Sequence, residues 1–448
     1  MLTITMTVLA AMAVCVNDPP ARPTFSDEVA QAVEADRLMA IIERLEDFGT
    51  RHTLSDTTSA TRGIGAARRW IRDELQAIAD ASGRDDIVVE LMVHEQPARS
   101  RVPDPIEVVN VVMTIPGSLA ESNDRVFVVL GHYDSRAAGT NDAESDAPGA
   151  NDDGSGTALV MELARIFATT APCDATTVFL LTAGEEQGLL GATWFARTAQ
   201  DQNMNIVAAL SNDIVGDPSG PDGRMDRDRI RVFSEALPRT IDEVGLNRIR
   251  QLGLENDSPS RQLARYVADI AARHETAVQP WLIYRTDRFL RGGDHSAFNN
   301  LGYAAVRFCE VAENYDRQHQ NVREIDDKRY GDVAEYVDGA YLADVTALNG
   351  AVLATLANSP SAPDVTLVMS GLSSATTLRW EQVPQPDVAG YEIAVRDTTS
   401  PQWQEVIDVG NVLEYTIDRS KDNWFFGVRA YDKDGNRSLV SIPSVGRR

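Results

Sequence analysis

The chain has 448 residues, more than one ordinary domain holds, so two or three domains are expected. Its formal net charge of −25 argues against nucleic acid and anionic membranes as partners, because both would repel it. The hydrophobic fraction of 43% is enough for sizeable cores, and the three cysteines (Cys15, Cys173, Cys309) leave no disulfide framework to propose.

The chain begins with an apolar stretch over residues 1–16. This stretch is too short to span a bilayer, and we interpret residues 1–22 as a signal for export. No Lys or Arg precedes it, and Val14 stands where a lipidation motif ending at Cys15 needs a small residue. A non-exported protein with an apolar tail would show the same pattern. We predict a secreted, periplasmic or cell-surface protein without a transmembrane span.

An alternation of helices and strands follows. Apolar spacing predicts helices over residues 26–45, 63–82, 156–168, 188–198, 259–274 and 333–356. Apolar runs predict strands over residues 87–93, 108–115, 126–130, 177–181, 206–210, 230–232 and 303–308. Strands separated by helices indicate an α/β fold with a mixed, largely parallel central sheet and helices on both faces. Ligand sites in such folds lie beyond the carboxyl ends of the strands.

The pattern of apolar and polar residues changes after residues 358–363, a linker rich in Ser and Pro. Residues 364–448 contain short runs of alternating apolar and polar residues separated by turn signals, with no long helix. About 85 residues of this kind predict a small all-β sandwich. The domains expected are therefore residues 26–357, which form the α/β unit, and residues 364–448.

Polar residues that suit metal binding stand at the ends of the predicted strands. His132 follows the strand 126–130, where a neutral imidazole is a natural zinc ligand, and Asp134 would accept the other ring N–H. Asp213 closes the strand 206–210, and His319 lies in a late polar loop. Each could also have an ordinary role: a histidine satisfied in the core, a capping or ion-paired carboxylate, or simple exposure.

Two pairs of adjacent carboxylates complete the set. Asp152 and Asp153 sit on a glycine-flanked loop before a helix, where a carboxylate bridges two metals or only caps the helix. Glu185 and Glu186 follow an apolar strand and point in different directions, so one suits a metal and the other suits proton transfer. A pair of this kind can also be merely solvated. The joint occurrence of all these residues at strand ends indicates a two-metal hydrolase.

Four motifs carry a resemblance to a known family. They are His-x-Asp at 132–134, Asn-Asp-Asp-Gly-Ser-Gly at 151–156, Gly-Glu-Glu-x-Gly at 184–188 and Asn-Asp-Ile at 212–214. Residues 26–357 resemble the secreted co-catalytic two-zinc aminopeptidases, which include bacterial leucyl and aminoacyl aminopeptidases and are related to glutamate carboxypeptidase. The C-terminal part resembles a fibronectin type III module, with Trp380 as its core tryptophan and Trp424 in the place of the corner tyrosine.

The resemblance implies two zinc ions and a ligand set. His132 and Asp213 would bind one ion, Glu186 and His319 would bind the other, and Asp152 would bridge them. The ions would activate water for attack on a peptide bond.

The same resemblance implies roles around the metals. Glu185 would be the general base, and Asp134 would orient His132. A cis peptide would join Asp152 to Asp153. Gly293-Asp294-His295 matches the family's Ser-Asp-His segment with Gly293 in place of serine, which puts Asp294 and His295 beside the site without binding metal.

The oxyanion-stabilising tyrosine of some relatives has no obvious counterpart. An arginine is one candidate for its role, and the tyrosine candidates are Tyr284, Tyr303 and Tyr315.

The substrates expected are the N-termini of peptides. A carboxypeptidase would fit a cluster of positive charge at Arg285, Arg288, Arg291 and Arg307, although these arginines also suit the surface or internal ion pairs. A one-zinc glutaminyl cyclase and an inactive binding or adhesion protein are two further hypotheses for this fold. The C-terminal module is expected to tether the enzyme to a surface or protein, or only to pack on the catalytic domain.

Overall fold

The structure is a computed structural model that describes residues 24–369 and 371–445. The proposed export segment lies outside the described residues. The α-helices are α1 (Phe25–Gln31), α2 (Ala35–Glu46), α3 (Gly63–Ser82), α4 (Gly154–Thr169), α5 (Leu190–Asp201), α6 (Glu243–Leu252), α7 (Pro259–Arg273), α8 (His295–Asn299) and α9 (Gly339–Asn358).

The strands fall into two regions of the chain. The strands before α9 are β1 (Val88–Gln96), β2 (Ile106–Ile115), β3 (Arg125–His132), β4 (Thr176–Thr182), β5 (Asn205–Asn212), β6 (Arg229–Ser234), β7 (Gln279–Ile283), β8 (Ala305–Glu310), β9 (Arg323–Ile325) and β10 (Lys328–Tyr330). Those after it are β11 (Val365–Leu367), β12 (Thr376–Trp380), β13 (Val388–Asp397), β14 (Glu405–Gly410), β15 (Glu414–Ile417), β16 (Trp424–Asp432) and β17 (Ser444–Val445).

One mixed sheet of eight strands forms the centre of the α/β domain, in the order β1-β2-β4-β3-β5-β8-β6-β7. The central strands β4, β3, β5 and β8 are mutually parallel. β1 and β2 extend the sheet antiparallel at one side, and β6 runs antiparallel to β8 at the other. The predicted mixed α/β fold is confirmed.

Alternating residues of each central strand enter two different cores. In β3, Phe127 and Val129 pack in one core with residues of α4, while Val128 and Leu130 pack in another with residues of α5. Because successive side chains of a strand point to opposite faces, both faces must be covered by helices. This explains why β3 is buried along its whole length.

The first predicted helix, residues 26–45, is divided into α1 and α2. Side chains of α4 bond the backbone at the break: Glu34 N–H donates to Glu162 Oε1 at 3.0 Å, and Arg165 Nη2 donates to the carbonyl of Ala32 at 2.8 Å. These tertiary bonds satisfy groups that a continuous helix would have bonded internally. The single helix predicted there was therefore wrong.

Two further differences from the sequence prediction have local reasons. Strand β7 was missed because Pro280 interrupts its apolar run; the strand is at the edge of the sheet, where proline is tolerated. Helix α9 begins at Gly339 rather than near residue 333, because the Asp338 side chain caps it by accepting from the N–H groups of Ala340 and Tyr341.

Helix α9 is long and apolar enough to cross a membrane by length and composition. However, 78% of its most apolar stretch is buried inside the fold. Its side chains, including Leu348 and Val352, belong to the larger core of the α/β domain. The helix is thus accounted for as a core element.

The C-terminal region forms two sheets, β15-β12-β11-β17 and β14-β13-β16. Trp380 of the first sheet and Tyr391 of the second lie 5.5 Å apart between ring centroids, in one shared core. Trp424 is half-buried against that core. The region is a β-sandwich of two sheets, and its likeness to fibronectin type III stays a prediction.

The sandwich packs on α7 of the α/β domain through buried ion pairs. Asp257, just before α7, accepts from Arg265 Nη1 at 2.7 Å and from Arg396 Nη2 of the sandwich at 2.6 Å. On the sandwich side, Arg429 Nη1 donates to Asp269 of α7 at 2.8 Å. Together with their partners Glu392 and Arg437, these residues form the docking interface.

Candidate metal centre

The predicted site residues converge at the carboxyl edge of the parallel strands. His132 is the last residue of β3 and pairs in register with Thr182, the last residue of β4, three positions before Glu185. Asp213 follows β5 directly. Asp152 stands in the loop that leads into α4. Parallel strands end at the same edge, which is why residues far apart in sequence meet here.

Two groups of three residues have ligand atoms within 4.8 Å of one another. One is His132, Asp152 and Asp213; the other is Asp152, Glu186 and His319. Asp152 belongs to both: its Oδ1 lies 3.3 Å from His132 Nε2, and its Oδ2 lies 2.9 Å from His319 Nε2. The structure therefore brings together the five residues named as ligands and divides them as the family pattern implies.

The donor set fits zinc. His132 Nδ1 donates to the carbonyl of Asp134 at 3.1 Å, so Nε2 is the ring nitrogen that can bind a metal. This buried Nε2 has no hydrogen-bond partner among the described residues, and it faces the carboxylates of Asp152 and Asp213. A neutral imidazole beside two carboxylates is an N/O set typical of zinc sites.

The second group attracts positive charge. His319 Nε2 lies 2.7 Å from Glu186 Oε1. Burial opposes protonation of this imidazole, but Glu186 and Asp152 outweigh burial and raise the pKa of His319 to about 9. Such surroundings favour any cation at this position, including a metal ion.

Asp134 holds the loop that carries both glutamates. Its carboxylate accepts from Thr53 Oγ1 at 2.8 Å and from the N–H groups of Glu185 and Glu186, each at 3.3 Å. The carboxylate of Asp134 lies 3.4 Å from His132 Nδ1, whereas the backbone carbonyl of Asp134 lies 3.1 Å from it. Asp134 thus orients His132 mainly through its carbonyl, and its carboxylate fixes the Glu185-Glu186 turn.

Backbone bonds fix the loop before α4. The Asp152–Asp153 peptide is cis, as the family pattern implied. Asp153 accepts from Gly156 N–H at 3.0 Å as the N-cap of α4 and from His132 N–H at 2.9 Å. The ordinary capping role therefore falls to Asp153, which leaves Asp152 directed at the two histidines.

Two residues that sequence reasoning missed hold Asp152 in place. The carboxylate of Asp332 accepts from Asp152 N–H at 2.7 Å, and Gln318 Nε2 donates to Asp152 Oδ2 at 2.9 Å. Burial raises the pKa of Asp332 to about 7. Asp332 lies in a loop without periodicity, so no sequence signal marked it. Gln318 could have been found, because it directly precedes His319.

Glu185 faces a cleft of about 260 Å³. The same cleft is lined by Asp152, Glu186, Asp213 and His319. Burial raises the pKa of Glu185 well above its usual range, and neighbouring carboxylates add to the shift against the opposing effect of His132. A carboxylate that lines the cleft beside the ligand groups is suited to accept a proton.

Arg307 supports the Asp213 side. Its fully buried guanidinium lies 2.8 Å from Asp213 Oδ1 and 3.0 Å from Asp287 Oδ2. A Cβ at Gly293 would come within 2.7 Å of Arg307 Nη1, which explains the glycine in place of the family's serine. The arginine was grouped with substrate-binding candidates in the sequence, but its partners make it structural.

Asp294 and His295 lie beside the site and belong to neither ligand group. Thr182 Oγ1 donates to Asp294 Oδ2, which ties this carboxylate to the end of β4. His295 Nε2 donates to the carbonyl of Thr286 at 2.8 Å. The location expected for both residues agrees with the structure, and their effect on activity stays a prediction.

The tyrosine candidates separate clearly. Tyr284 donates through its hydroxyl to the carbonyl of Pro401 in the sandwich, and Tyr303 packs against Phe298 in the core. Both are wrong as oxyanion stabilisers, because their side chains are committed elsewhere. Tyr315 is half-exposed beside Arg291, whose guanidinium lies 5.6 Å from the ring centroid.

This fold and donor set define a zinc-dependent peptidase. The chain belongs to peptidase family M28, whose model matches residues 110–340. Over 430 residues it is 45% identical to a protein of Leptosphaeria maculans named "Probable zinc metalloprotease", covering 95% of this chain and 99% of that one. A protein of the same description from Pyricularia oryzae is 42% identical over 97% of this chain and 90% of the relative.

Solved structures share the fold. The Legionella pneumophila LapA aminopeptidase aligns with a TM-score of 0.52 at 19% identity, over 75% of each chain. An aminopeptidase from Aneurinibacillus sp. strain AM-1 aligns with a TM-score of 0.51 at 13% identity, over 73% of this chain and 95% of that one. At these identities the likeness concerns the fold alone.

Proposed function

We propose that this zinc metallopeptidase is a two-zinc aminopeptidase that removes N-terminal residues from peptides. The observation that carries the proposal is the sharing of Asp152 between two ligand groups beside the cleft that Glu185 faces. His132, Asp152 and Asp213 would hold one zinc ion, and Asp152, Glu186 and His319 the other. When bound, zinc polarises the scissile carbonyl and lowers the pKa of water to about 7.

The residues of the chain supply the remaining steps. Glu185 accepts the proton of the attacking water and returns it to the leaving amine nitrogen. Its position in the cleft beside both ligand groups suits both directions of this transfer. Asp134 keeps Glu185 and Glu186 in place through their backbone N–H groups, so the base and a ligand share one support.

A small cleft with carboxylates at the metal site supports exopeptidase action at a free amine. The volume of about 260 Å³ is near the lower limit of the 300–1,000 Å³ range of small-ligand sites, so it suits the end of a chain. Four carboxylate residues line it, and such groups attract a protonated α-amine. The named activity of the fold neighbours LapA and the AM-1 enzyme agrees with this direction.

The test measures zinc and activity together. We would determine zinc per chain and hydrolysis of aminoacyl p-nitroanilides for the wild type and for Glu185→Ala. Two zinc ions in both proteins, with activity reduced about 10²–10⁴-fold in the variant, is the expected result for a general base. Glu90→Ala, at an exposed position on β1, is the matched control and should change neither quantity.

Three different results would point to a different function. One zinc per chain would favour a glutaminyl cyclase. Two zinc ions without aminopeptidase activity would favour a carboxypeptidase, and zinc-free protein without activity would favour an inactive binding protein.

A further inference from the structure

Three arginines line the cleft in addition to the carboxylates. They are Arg101, Arg136 and Arg291; a fourth cleft arginine, Arg288, is held in internal ion pairs. Arg101 precedes β2, Arg136 follows β3 and Arg291 precedes α8, so three separate loops bring positive charge to one place.

All three arginines surround the Glu186 and His319 side of the site. Arg101 Nη1 donates to the carbonyl of Glu186 at 2.9 Å, and Arg136 Nη1 lies 3.6 Å from Glu186 Oε2. Arg291 Nη1 lies 3.5 Å from His319 Nδ1. The Asp213 side differs, because its buried Arg307 is bound to Asp213 and Asp287.

These three arginines have few carboxylate partners in the described part of the protein. Within residues 24–369 and 371–445, neither Arg101 nor Arg291 has a carboxylate within ion-pair distance, and Arg136 reaches only Glu186, a proposed zinc ligand. Arg288, by contrast, is paired with Asp287 and Glu313. In a chain with 67 acidic and 42 basic residues, unpaired arginines concentrated in one cleft indicate an anionic ligand.

We propose that Arg101, Arg136 and Arg291 bind a carboxylate on the residue that leaves, the one after the scissile bond. This proposal rests on the proposed aminopeptidase function. Three guanidinium groups repel the protonated α-amine, so the amine must lie toward Asp213 and the arginines must face the leaving residue. Guanidinium groups bind carboxylates through paired, charge-assisted hydrogen bonds.

Two substrate features offer such a carboxylate. One is the free C-terminus of a dipeptide, and the other is the side chain of an Asp or Glu in the leaving position. The substrate class is therefore short peptides with a negative charge directly after the scissile bond. The enzyme would then act late in peptide degradation, on products that other peptidases release.

The experiment compares matched substrates with the zinc-loaded, full-length protein. Leu-Ala is compared with Leu-Ala-amide, and Leu-Glu-amide with Leu-Gln-amide. We expect at least one carboxylate substrate to exceed its neutral partner by about tenfold in kcat/KM, mainly through KM, because charged hydrogen bonds are typically that strong. The pair that shows the preference identifies the source of the carboxylate.

Variants connect the preference with the arginines. Arg101→Gln and Arg291→Gln should reduce the ratio of carboxylate to neutral substrate toward one, with zinc content retained. Arg285→Gln is the control, because Arg285 stacks over Phe289 at 4.3 Å from the ring centroid and does not line the cleft. Its ratio should equal that of the wild type.

The outcomes separate the two proposals. Cleavage of Leu-p-nitroanilide without any carboxylate preference, or a preference that survives in both variants, overturns the arginine assignment and leaves the aminopeptidase intact. Cleavage of acetyl-Leu-Glu but of no free-amine substrate overturns the proposed aminopeptidase function. In that case, a carboxylate preference on blocked substrates that depends on the arginines would still support the arginine assignment. If no peptide is cleaved, both proposals fall.

Discussion

Two buried charge clusters of this protein differ in how far their positive and negative side chains are paired with each other. At the docking interface, each arginine has a carboxylate within hydrogen-bond distance: Arg265 and Arg396 share Asp257, and Arg429 donates to Glu392 at 2.7 Å. The side chains of Asp257, Arg265 and Arg396 are at most 3% exposed. A cluster of this kind satisfies its own charges and fixes how the sandwich sits on α7.

The candidate zinc centre is unbalanced by comparison. Asp152, Glu186 and Asp213 are buried there, and the buried Arg307 serves Asp213, whereas Arg101 and Arg291 are exposed at the mouth of the cleft. Buried carboxylates without enough cations are costly unless a positive ion joins them. Burial in arginine–carboxylate pairs therefore marks a structural contact, whereas an excess of carboxylate marks a place for cations.

Removing the shared carboxylate should have the largest effect. Asp152→Ala takes a ligand from both groups, so we expect zinc content to fall well below that of the wild type. Because a catalytic metal supplies several kcal/mol to the transition state, activity should fall at least about 10³-fold. Zinc analysis and kcat/KM measure this. Retention of two zinc ions would contradict the shared role.

Breaking the balanced cluster should destabilise the fold without affecting zinc. Asp257→Asn leaves Arg265 and Arg396 buried without a carboxylate, which costs about 3–5 kcal/mol of the free energy of unfolding. Urea unfolding measures the loss. Glu405→Gln, which breaks the exposed pair with Arg419, is the control and should cost no more than about 1 kcal/mol. Equal losses in both variants would refute the distinction between buried and exposed pairs.

Zinc removal should lower the free energy of unfolding by the same amount whether or not the docking interface is intact. With free zinc at about 100 times its Kd, bound zinc adds about 2.7 kcal/mol to the free energy of unfolding, which a chelator removes. The melting temperature with and without chelator measures this difference. Asp257→Asn should show the same chelator effect as the wild type, since the proposed zinc ligands all lie outside the docking interface. A chelator effect that disappears in this variant would show that the two clusters are coupled.

The smallest expected effect concerns Asp174, which faces the sandwich. Burial first, and then Asp387 and Asp432, raise the pKa of Asp174 to about 6 against the opposing Arg125. The folded protein then binds more protons than the unfolded chain between about pH 4 and pH 6, so stability falls as pH rises through this window.

Asp174→Asn removes this titration. Relative to the wild type, the variant should gain about 1 kcal/mol between pH 4 and pH 7, a value reduced for the partial exposure of the group. Denaturant unfolding at several pH values measures the gain. Parallel stability curves for the two proteins would mean that Asp174 titrates normally.

Much of the fold and the site followed from local patterns. The strands β3, β4 and β5 lie within two residues of their predicted bounds, because buried parallel strands are continuous apolar runs. Of the residues named as ligands, His132, Glu186 and Asp213 stand at or just after the ends of such runs, and Asp152 and His319 lie in loops; the structure gathers all five into two groups. Local signals failed for β7, where proline hid an edge strand, and for the break between α1 and α2.

The sequence by itself determined which residue types stand at the strand ends, and hence the zinc chemistry. Each apolar run and the polar residue that follows it are adjacent in the chain, so both can be read locally. Only the tertiary structure decided which arginines are paired internally and which are left for a ligand: Arg307 joins Asp213 and Asp287, whereas Arg101 and Arg291 face the cleft. Only it placed Asp332 under Asp152 and Asp257 between two domains. Charge pairing depends on distances between residues far apart in sequence, and the fold alone sets those distances.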